Sequence, residues 1–592
     1  MEYSCGPAAH SPESSPEAAI QDTVLAQINA LQVFLKDSFQ RAVEEAAVDK
    51  RQLQHLFIQT RLLYKKFEWA AEYFTGSTTQ MVNGPPVLEI EDADFLDPAL
   101  VRPVQPSGLQ VIEELLFPTY DSTQKALLRA QLQQLQSNLN VYTAYFNQYP
   151  MSDWRILDAA RQEVFRILTL GITGYDAPLT LNSMAEAATS LRSLQGILSA
   201  YISQAADTLL SAKMQAATAY LQNHLDFDTF NRAVFITRYG NPIGRRITAL
   251  SKNLQVPEVR YNRLLNQDAG TLFDTGAFNT NAFAPGPAAY PTPEKVALGK
   301  QLFHETALSG NGSRSCASCH QPAKAFTDGL AKHPAINGQG VIDRNAPTLI
   351  NAALQSNLFY DMRALTLEDQ IRDVVEDPQE MGGSLRQAVA YLSKHKSYRV
   401  RFAEAFPDRL PNPVDSFTVA NAIAAYVRSL TGFNSRFDRY MRGDSSALTL
   451  QEVKGFNLFM GKAKCATCHF MPLFNGIAPP KYIASEAEVI GVPASLAEHT
   501  IDPDLGWYNT IGVEAYRHAF KTPTVRNITK TAPYMHNGVY ATLEQVMAFY
   551  NKGGGAGLGL DLPNQTMSED SLQLNDREMA AVIAFMKSLD NS

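Results

Sequence analysis

The chain has 592 residues, 45% of them hydrophobic, a formal net charge of -8 and a pI near 5.8. That length is too great for one core and predicts about three or four domains. The net acidity argues against nucleic acid as a partner, because a polyanion would be repelled over most of the surface, and no run of about 18 apolar residues predicts a membrane-spanning helix.

Met1-Glu2-Tyr3-Ser4-Cys5 has neither the basic nor the apolar part of a secretory signal. Residues 1–16, rich in Ser, Pro and Ala, read as a disordered leader. In it Cys5, followed by Gly6, is either the lipidated first residue of a mature lipoprotein or an unpaired thiol. Residues 17–255 contain no Cys and read as an α-helical bundle: Val24, Ile28, Leu31 and Leu35 fall at helical spacing, and the stretches 122–148 and 183–223 have the same character. Within this region Gly108-Leu109-Gln110-Val111-Ile112-Glu113 resembles the Gly-x-His-x-x-Glu signature of imelysin-like helical domains. Gln110 stands where that family has histidine, so a metal site carried over would lack a ligand; the alternative is a helix start that packs Leu109 and Ile112 inward. Residues 256–293 read as a linker, loop-rich from Asp268 to Pro293.

Two copies of one pentapeptide follow, Cys316-Ala317-Ser318-Cys319-His320 and Cys465-Ala466-Thr467-Cys468-His469, and they use four of the five cysteines. Each reads as a c-type haem attachment site, in which the thiols of Cys316 and Cys319, or Cys465 and Cys468, add to the porphyrin vinyls and His320 or His469 binds the iron. A redox dithiol or half of a zinc site is the competing reading of Cys-x-x-Cys. The histidine after both pairs and the repeated approaches, Gly299-Lys300-Gln301-Leu302-Phe303 and Gly455-Phe456-Asn457-Leu458-Phe459, count against it. The expected fold is therefore mainly α: a helical bundle, then a first cytochrome c domain over 294–445 and a second over 446–592, each holding one covalent haem. A last helix opens at Asn575 with Glu578 at N3 and turns Met579, Val582, Ile583 and Met586 inward. Attachment of c-type haem takes place outside the cytoplasm, so a periplasmic protein whose signal has been removed is expected, with Cys5 as its anchor if lipidated.

Between and after the two motifs, Arg344-Asn345-Ala346-Pro347-Thr348, Phe359-Tyr360-Asp361-Met362-Arg363, Leu367-Glu368-Asp369-Gln370, Glu380-Met381-Gly382 and Thr531-Ala532-Pro533-Tyr534-Met535-His536-Asn537-Gly538 occur in that order. Together they resemble the bacterial di-haem cytochrome c peroxidase and MauG superfamily over roughly residues 290–592. The resemblance implies a peroxidatic haem at His320 with Glu380 as acid/base and Gln370, ten residues earlier, orienting peroxide. It places Tyr360 where relatives have a Trp relay between the haems, and Met362 where they have Gly. His333 is a candidate gating ligand of the first iron or else a surface histidine. Thr366 should cap a short helix that buries Ile371, Val374 and Val375 and ends at Asp377-Pro378.

Thr542 and Gln545 form a capping box for a helix that should bury Leu543, Val546, Met547 and Tyr550 before Gly553-Gly554-Gly555 stops it. Either Met547 or Tyr550 could reach the second iron. Tyr550 lies fourteen residues after His536, a position that is Met in ordinary members of the superfamily and Tyr in MauG-type members, so the resemblance implies Tyr550. It also implies that Asn345, Thr531 and the Pro533 carbonyl hold Ca²⁺, a cation suited to oxygen donors. The expected function is a di-haem peroxidase that reduces hydrogen peroxide with electrons from a small cytochrome, a cupredoxin or a protein substrate. The alternatives are a non-catalytic di-haem electron-transfer cytochrome and a chain whose main task lies in the N-terminal bundle.

Overall fold

The computed structural model describes residues 15–45, 49–90, 103–257, 261–497 and 500–591; Cys5 lies outside them. The chain is mainly helical. Among the described residues the strands are two short antiparallel ladders, Glu89–Ile90 with Pro103–Val104 and Ala487–Glu488 with Phe520–Lys521. No described helix is long and apolar enough to cross a membrane.

The first helix, Pro16–Phe34, starts where Ser15 accepts from the Ala18 N–H and Pro16 fits the first turn. Its Ile20, Val24, Ile28 and Leu31 are buried against the helix Lys125–Gln148, which turns Leu128, Leu132, Leu135 and Leu139 toward them. Charge is buried here too. Arg61 is bidentate on Glu186, Lys65 reaches Glu68 and Asp176 at 2.6 Å each, and Arg166 is bidentate on Asp176 at 2.8 Å.

The segment with the imelysin-like signature is part of this packing. Gly108, at φ +94°, presses against the Met81 and Val82 carbonyls where a Cβ would not fit, and Leu109 and Ile112 are fully buried. Gln110 donates to the Asn83 carbonyl at 3.2 Å, and Glu113 accepts from the Thr180 N–H and hydroxyl. These side chains are engaged in hydrogen bonds that tie the helix to the neighbouring helix end at Asn83 and the turn at Thr180.

Both haem-attachment motifs are framed by a crossed helix pair. Pro293–Phe303 crosses Ser416–Ser429, and Leu450–Phe459 crosses Asp576–Lys587. The repeated glycine is the crossing point: Gly299 lies on the Ala422 carbonyl and Gly455 on the Ala581 carbonyl, each too close for a side chain. The repeated phenylalanine stacks one turn on, Phe303 edge-on to Tyr426 at 5.2 Å and Phe459 to Phe585 at 5.1 Å. The Asn575 capping box forms, and the inward face of that last helix is Ala581, Val582, Ile583, Phe585 and Met586, with Met579 half-buried. Ala581 and Phe585 enter because the crossing runs through them.

The core is not divided in chain order. The N-terminal helices and the region around the second motif share one hydrophobic core, whereas the region around the first motif has its own, built from Leu298, Leu302, Phe303, Leu392, Phe402 and Ile423 among others. The stretch read as a linker contributes Leu264, Leu265, Leu272, Phe273 and Phe278 to the shared core. Phe278 stacks on Phe433 at 5.7 Å, and Phe273 meets Phe437 edge-on at 5.9 Å.

Candidate active site

At the first motif, Ser315 and Ser318 cap the turn Cys316–Cys319 reciprocally. The His320 Nδ1–H donates to the Phe326 carbonyl at 3.0 Å, which orients the ring and leaves Nε2 to bind iron. Burial lowers its pKa and keeps the imidazole neutral. At the second motif the His469 Nδ1–H donates to the Pro523 carbonyl at 3.0 Å, and burial takes this ring down to about 4. Two paired thiols and a neutral imidazole with its other nitrogen already committed are the donor set a covalent haem requires, so the residues fit the group.

Charged groups ring the first attachment site. Burial pushes the Cys319 thiol up to about 11, with Arg314 opposing and Asp328 and Glu380 adding to the rise. Asp328 is buried and accepts from the His333 Nδ1–H at 2.8 Å. Cys319 Sγ and ligating atoms of Asp328 and His333 lie within 4.8 Å of one another, which brings His333 to the first attachment motif with its Nδ1 already engaged.

Glu380 reaches this site because its loop is laid on the segment that leads into the motif. Gly310 N–H donates to the Met381 carbonyl at 2.9 Å, while Gly310 and Gly383 sit against backbone carbonyls of the facing segment, where a Cβ would collide. Asp377 Oδ1 accepts from the Glu380 N–H at 3.0 Å and turns the loop. Arg314 clamps it, donating to the Glu380 carbonyl at 2.6 Å and to the Pro334 carbonyl at 2.7 Å. Burial raises the Glu380 carboxyl to about 7; Asp377 adds to the rise, and Arg363, Arg314 and Arg344 oppose it.

Gln370 lies half-buried on the helix Leu367–Glu376, where Thr366 caps the Asp369 N–H. The inward face of that helix is Leu367, Glu368 and Val375, while Ile371 and Val374 are only half-buried. Glu368 takes the inward position because Arg428 grips it bidentately at 2.7 and 2.8 Å and Asn421 donates to it at 2.7 Å. Arg344 joins two of the resembling segments, bonding Asp361 at 2.7 Å while also holding Asp504. Tyr360 follows Phe359 and precedes Asp361 in this frame; its carbonyl accepts from the Lys521 N–H at 2.8 Å, and burial pushes its phenol up to about 12. Met362, at φ +57° and buried, holds a left-handed turn that glycine would adopt without strain.

At the second site, the Thr542/Gln545 box starts the helix Leu543–Asn551. Its buried residues are Leu543, Met547 and Phe549, with Val546 and Tyr550 half-buried; Phe549 turns inward to meet Tyr540 at 5.4 Å. Burial raises the Tyr550 phenol well above its ordinary range, and Tyr550 and Cys465 pack against the same hydrophobic core. Met547 is packed in the core. Asn345 is tied to the late segment through its N–H to the His536 carbonyl at 2.6 Å, and its side-chain amide donates to the Leu330 carbonyl. The Thr531 hydroxyl donates to the Ile528 carbonyl at 3.2 Å, and Pro533 follows a cis peptide bond.

Sequence reasoning missed Arg314, Asp328, Glu488 and Lys521. Burial raises the Glu488 carboxyl, while bonds from Thr566 and Cys468 oppose the rise and place it at the second motif. Lys521 Nζ donates to the Gln355 side chain and the Asn357 carbonyl, and burial takes it down to about 7. Arg314, two residues before Cys316, and Lys521, in the strand facing Glu488, had proximity in sequence or pairing as their only signal; isolated Asp328 and Glu488 had none.

The di-haem cytochrome c peroxidase family matches residues 293–446. Methylamine utilization protein MauG of Methylorubrum extorquens is 35% identical over 306 residues, 52% of this chain and 81% of the relative. Cytochrome c551 peroxidase of Nitrosomonas europaea is 32% identical over 332 residues, 55% of this chain and 90% of the relative. A solved MauG-like protein associated with microbial copper homeostasis is 31% identical with a TM-score of 0.45, covering 51% of this chain and 91% of that one.

Proposed function

The chain belongs to the family of di-haem cytochrome c peroxidases and MauG proteins, oxidoreductases that act on peroxide through covalently bound c-type haems, and we propose that it is a MauG-like member with an added N-terminal helical domain. When bound, the haems would supply the irons at which peroxide is reduced and carry to it the electrons of the donor.

Glu380 is the acid/base. Peroxide reduction requires a proton to move from the near oxygen to the departing one, and a carboxyl near 7 is available in both forms at neutral pH. That one observation carries the catalytic reading. Gln370, on a helix fixed by the Glu368–Arg428 ion pair, orients the substrate. Tyr360 is the electron relay between the haems.

Tyr550 closes the second iron. Tyr550 is only half-buried and packs against the core that Cys465 also borders, whereas Met547 is turned into that core, which supports oxygen over thioether ligation. An anionic oxygen donor favours the ferric state, so oxidising equivalents can be shared between the sites. Asn345, Thr531 and the Pro533 carbonyl offer oxygen donors to Ca²⁺ between the haems, and His333 is the candidate gating ligand of the first. The electrons come from a small cytochrome, a cupredoxin or a protein substrate, in a periplasmic setting to which a lipidated Cys5 would add a membrane anchor.

Peroxide titration of the diferric protein, wild type beside Tyr550→Phe, followed in the visible and near infrared, tests the subtype. The Phe variant should lose the wild-type spectral response at the second haem. Identical spectra and turnover in the two proteins would remove Tyr550 from the iron.

A further inference from the structure

The second attachment segment is covered by helices from the N-terminal part of the chain. Tyr175 packs edge-on against Phe470, the residue after His469, at 5.8 Å. Asn457, two residues beyond Gly455, accepts from the Ala233 N–H at 3.0 Å and donates to Asn231 Oδ1 at 3.2 Å. Between these contacts lies Arg232, which is fully buried.

The Arg232 guanidinium lies flat on Gly461, its Nη1, Cζ and Nη2 at 2.5, 2.6 and 2.7 Å from where a Cβ would stand. Gly461 is at an ordinary negative φ, so the close approach of the guanidinium is what demands glycine there. The Lys464 N–H donates back to the Gly461 carbonyl at 2.7 Å, and Cys465 follows. One hydrogen-bonded turn therefore separates the guanidinium from the attachment cysteine.

The partners of Arg232 are unusual for a buried cation. It donates to the carbonyls of Ile172, Phe230 and Phe227 and faces the Phe227 ring at 4.5 Å. Among the described residues no carboxylate forms an ion pair with it; Asp228, the nearest acidic influence, is exposed. The charge is thus hydrogen-bonded but not neutralised, and a low-dielectric surrounding lets it act at a distance. Ferric haem carries one more positive charge than ferrous, so a fixed cation nearby disfavours the ferric form.

We propose that Arg232 is a positioning residue contributed by the N-terminal helices that raises the reduction potential of the second haem, so that this region is part of that haem's electrostatic environment. The inference rests on haem attachment at Cys465, Cys468 and His469. It goes beyond the ligand assignment, because it opposes the ferric preference that Tyr550 would impose.

Two substitutions in the full-length holoprotein separate charge from packing. Arg232→Gln removes the charge. Asn231→Asp adds a negative charge beside it while keeping the side-chain oxygen that accepts from the Val234 N–H and from Asn457, and Asp caps a helix as well as Asn does. Spectroelectrochemical titration should show the second haem shifted to lower potential in both variants, with the first unchanged; Arg232→Lys, which retains the charge, should stay near wild type. An unshifted second haem in Asn231→Asp would overturn the proposal even if Arg232→Gln fails to fold, as would a Lys variant shifted as far as Gln or equal shifts of both haems. A haem-to-protein ratio of one instead of two would locate the failure in the attachment reading.

Discussion

Glu380 is half-buried, yet its carboxyl is raised to about 7, chiefly by burial, with Asp377 adding to the rise and Arg363, Arg314 and Arg344 opposing it. The raised value has a sign for rate: in the proposed acid/base role the carboxylate form accepts the first proton, so kcat/KM for peroxide should climb with pH through an inflection near 7. Glu380→Gln should flatten that profile and lower turnover by roughly 10²- to 10⁴-fold, with haem content retained; steady-state peroxide kinetics between pH 5 and 9 read both, and an unchanged profile would leave the carboxyl without a task. The same shift has a sign for stability. The folded chain holds this proton more tightly than the unfolded one, so the contribution of Glu380 is most favourable below its ordinary value of 4.5 and is lost as pH rises through about 7. In the sequence this residue stands out only through the segment around it. The cysteines and histidines of the motifs declare themselves by spacing, but Arg314 and Asp328 are single charges whose meaning comes from a loop folding back on the motif, which no local pattern records.

Helix ends were legible in the sequence, because capping is a contact between residues three apart. Thr366 with Asp369, Thr542 with Gln545 and Asn575 with Glu578 all cap as their spacing suggests. Inward faces were less so: periodicity assigns apolar residues to the core, but Glu368 displaces Ile371 and Val374 from that face once Arg428 on another helix is there to neutralise it. Glu368→Ala should cost about 3–5 kcal/mol by stranding Arg428, read as a lowered thermal midpoint with weakened peroxide binding as Gln370 loses its support. The repeated glycines carry a second element-scale consequence. Since Gly299 and Gly455 each lie on a carbonyl of the crossing helix, Ala at either position forces the pair apart, at about 1–3 kcal/mol. Gly299→Ala should loosen the first haem's surroundings and Gly455→Ala the second's, and the visible spectrum during thermal melting would show which haem changes first. Equal effects of both substitutions on both haems would contradict the local role of the crossings.

At the scale of the molecule, the Gly- and Pro-rich stretch from Asp268 to Pro293 looks like a boundary because such residues break helices, and helix breaking says nothing about burial. Leu272, Phe273 and Phe278 fill the core from within that stretch, and the partners that bury them, Phe433 and Phe437, lie more than a hundred residues downstream. The result groups the N-terminal helices with the second haem region and leaves the first haem region with a separate core. Cooperative unfolding follows shared core, not chain order. Leu31 is fully buried in the first helix, far in sequence from any haem. Leu31→Ala, at about 2–5 kcal/mol for a large-to-small core change, should therefore lower the midpoint of the transition that disturbs the second haem's absorption and leave the transition of the first haem in place. Calorimetry recorded alongside absorbance distinguishes the outcomes: if the helical signal melts early while both haem spectra keep their wild-type midpoints, the N-terminal helices are an independent unit, and Arg232 and Tyr175 are contacts between separately stable bodies.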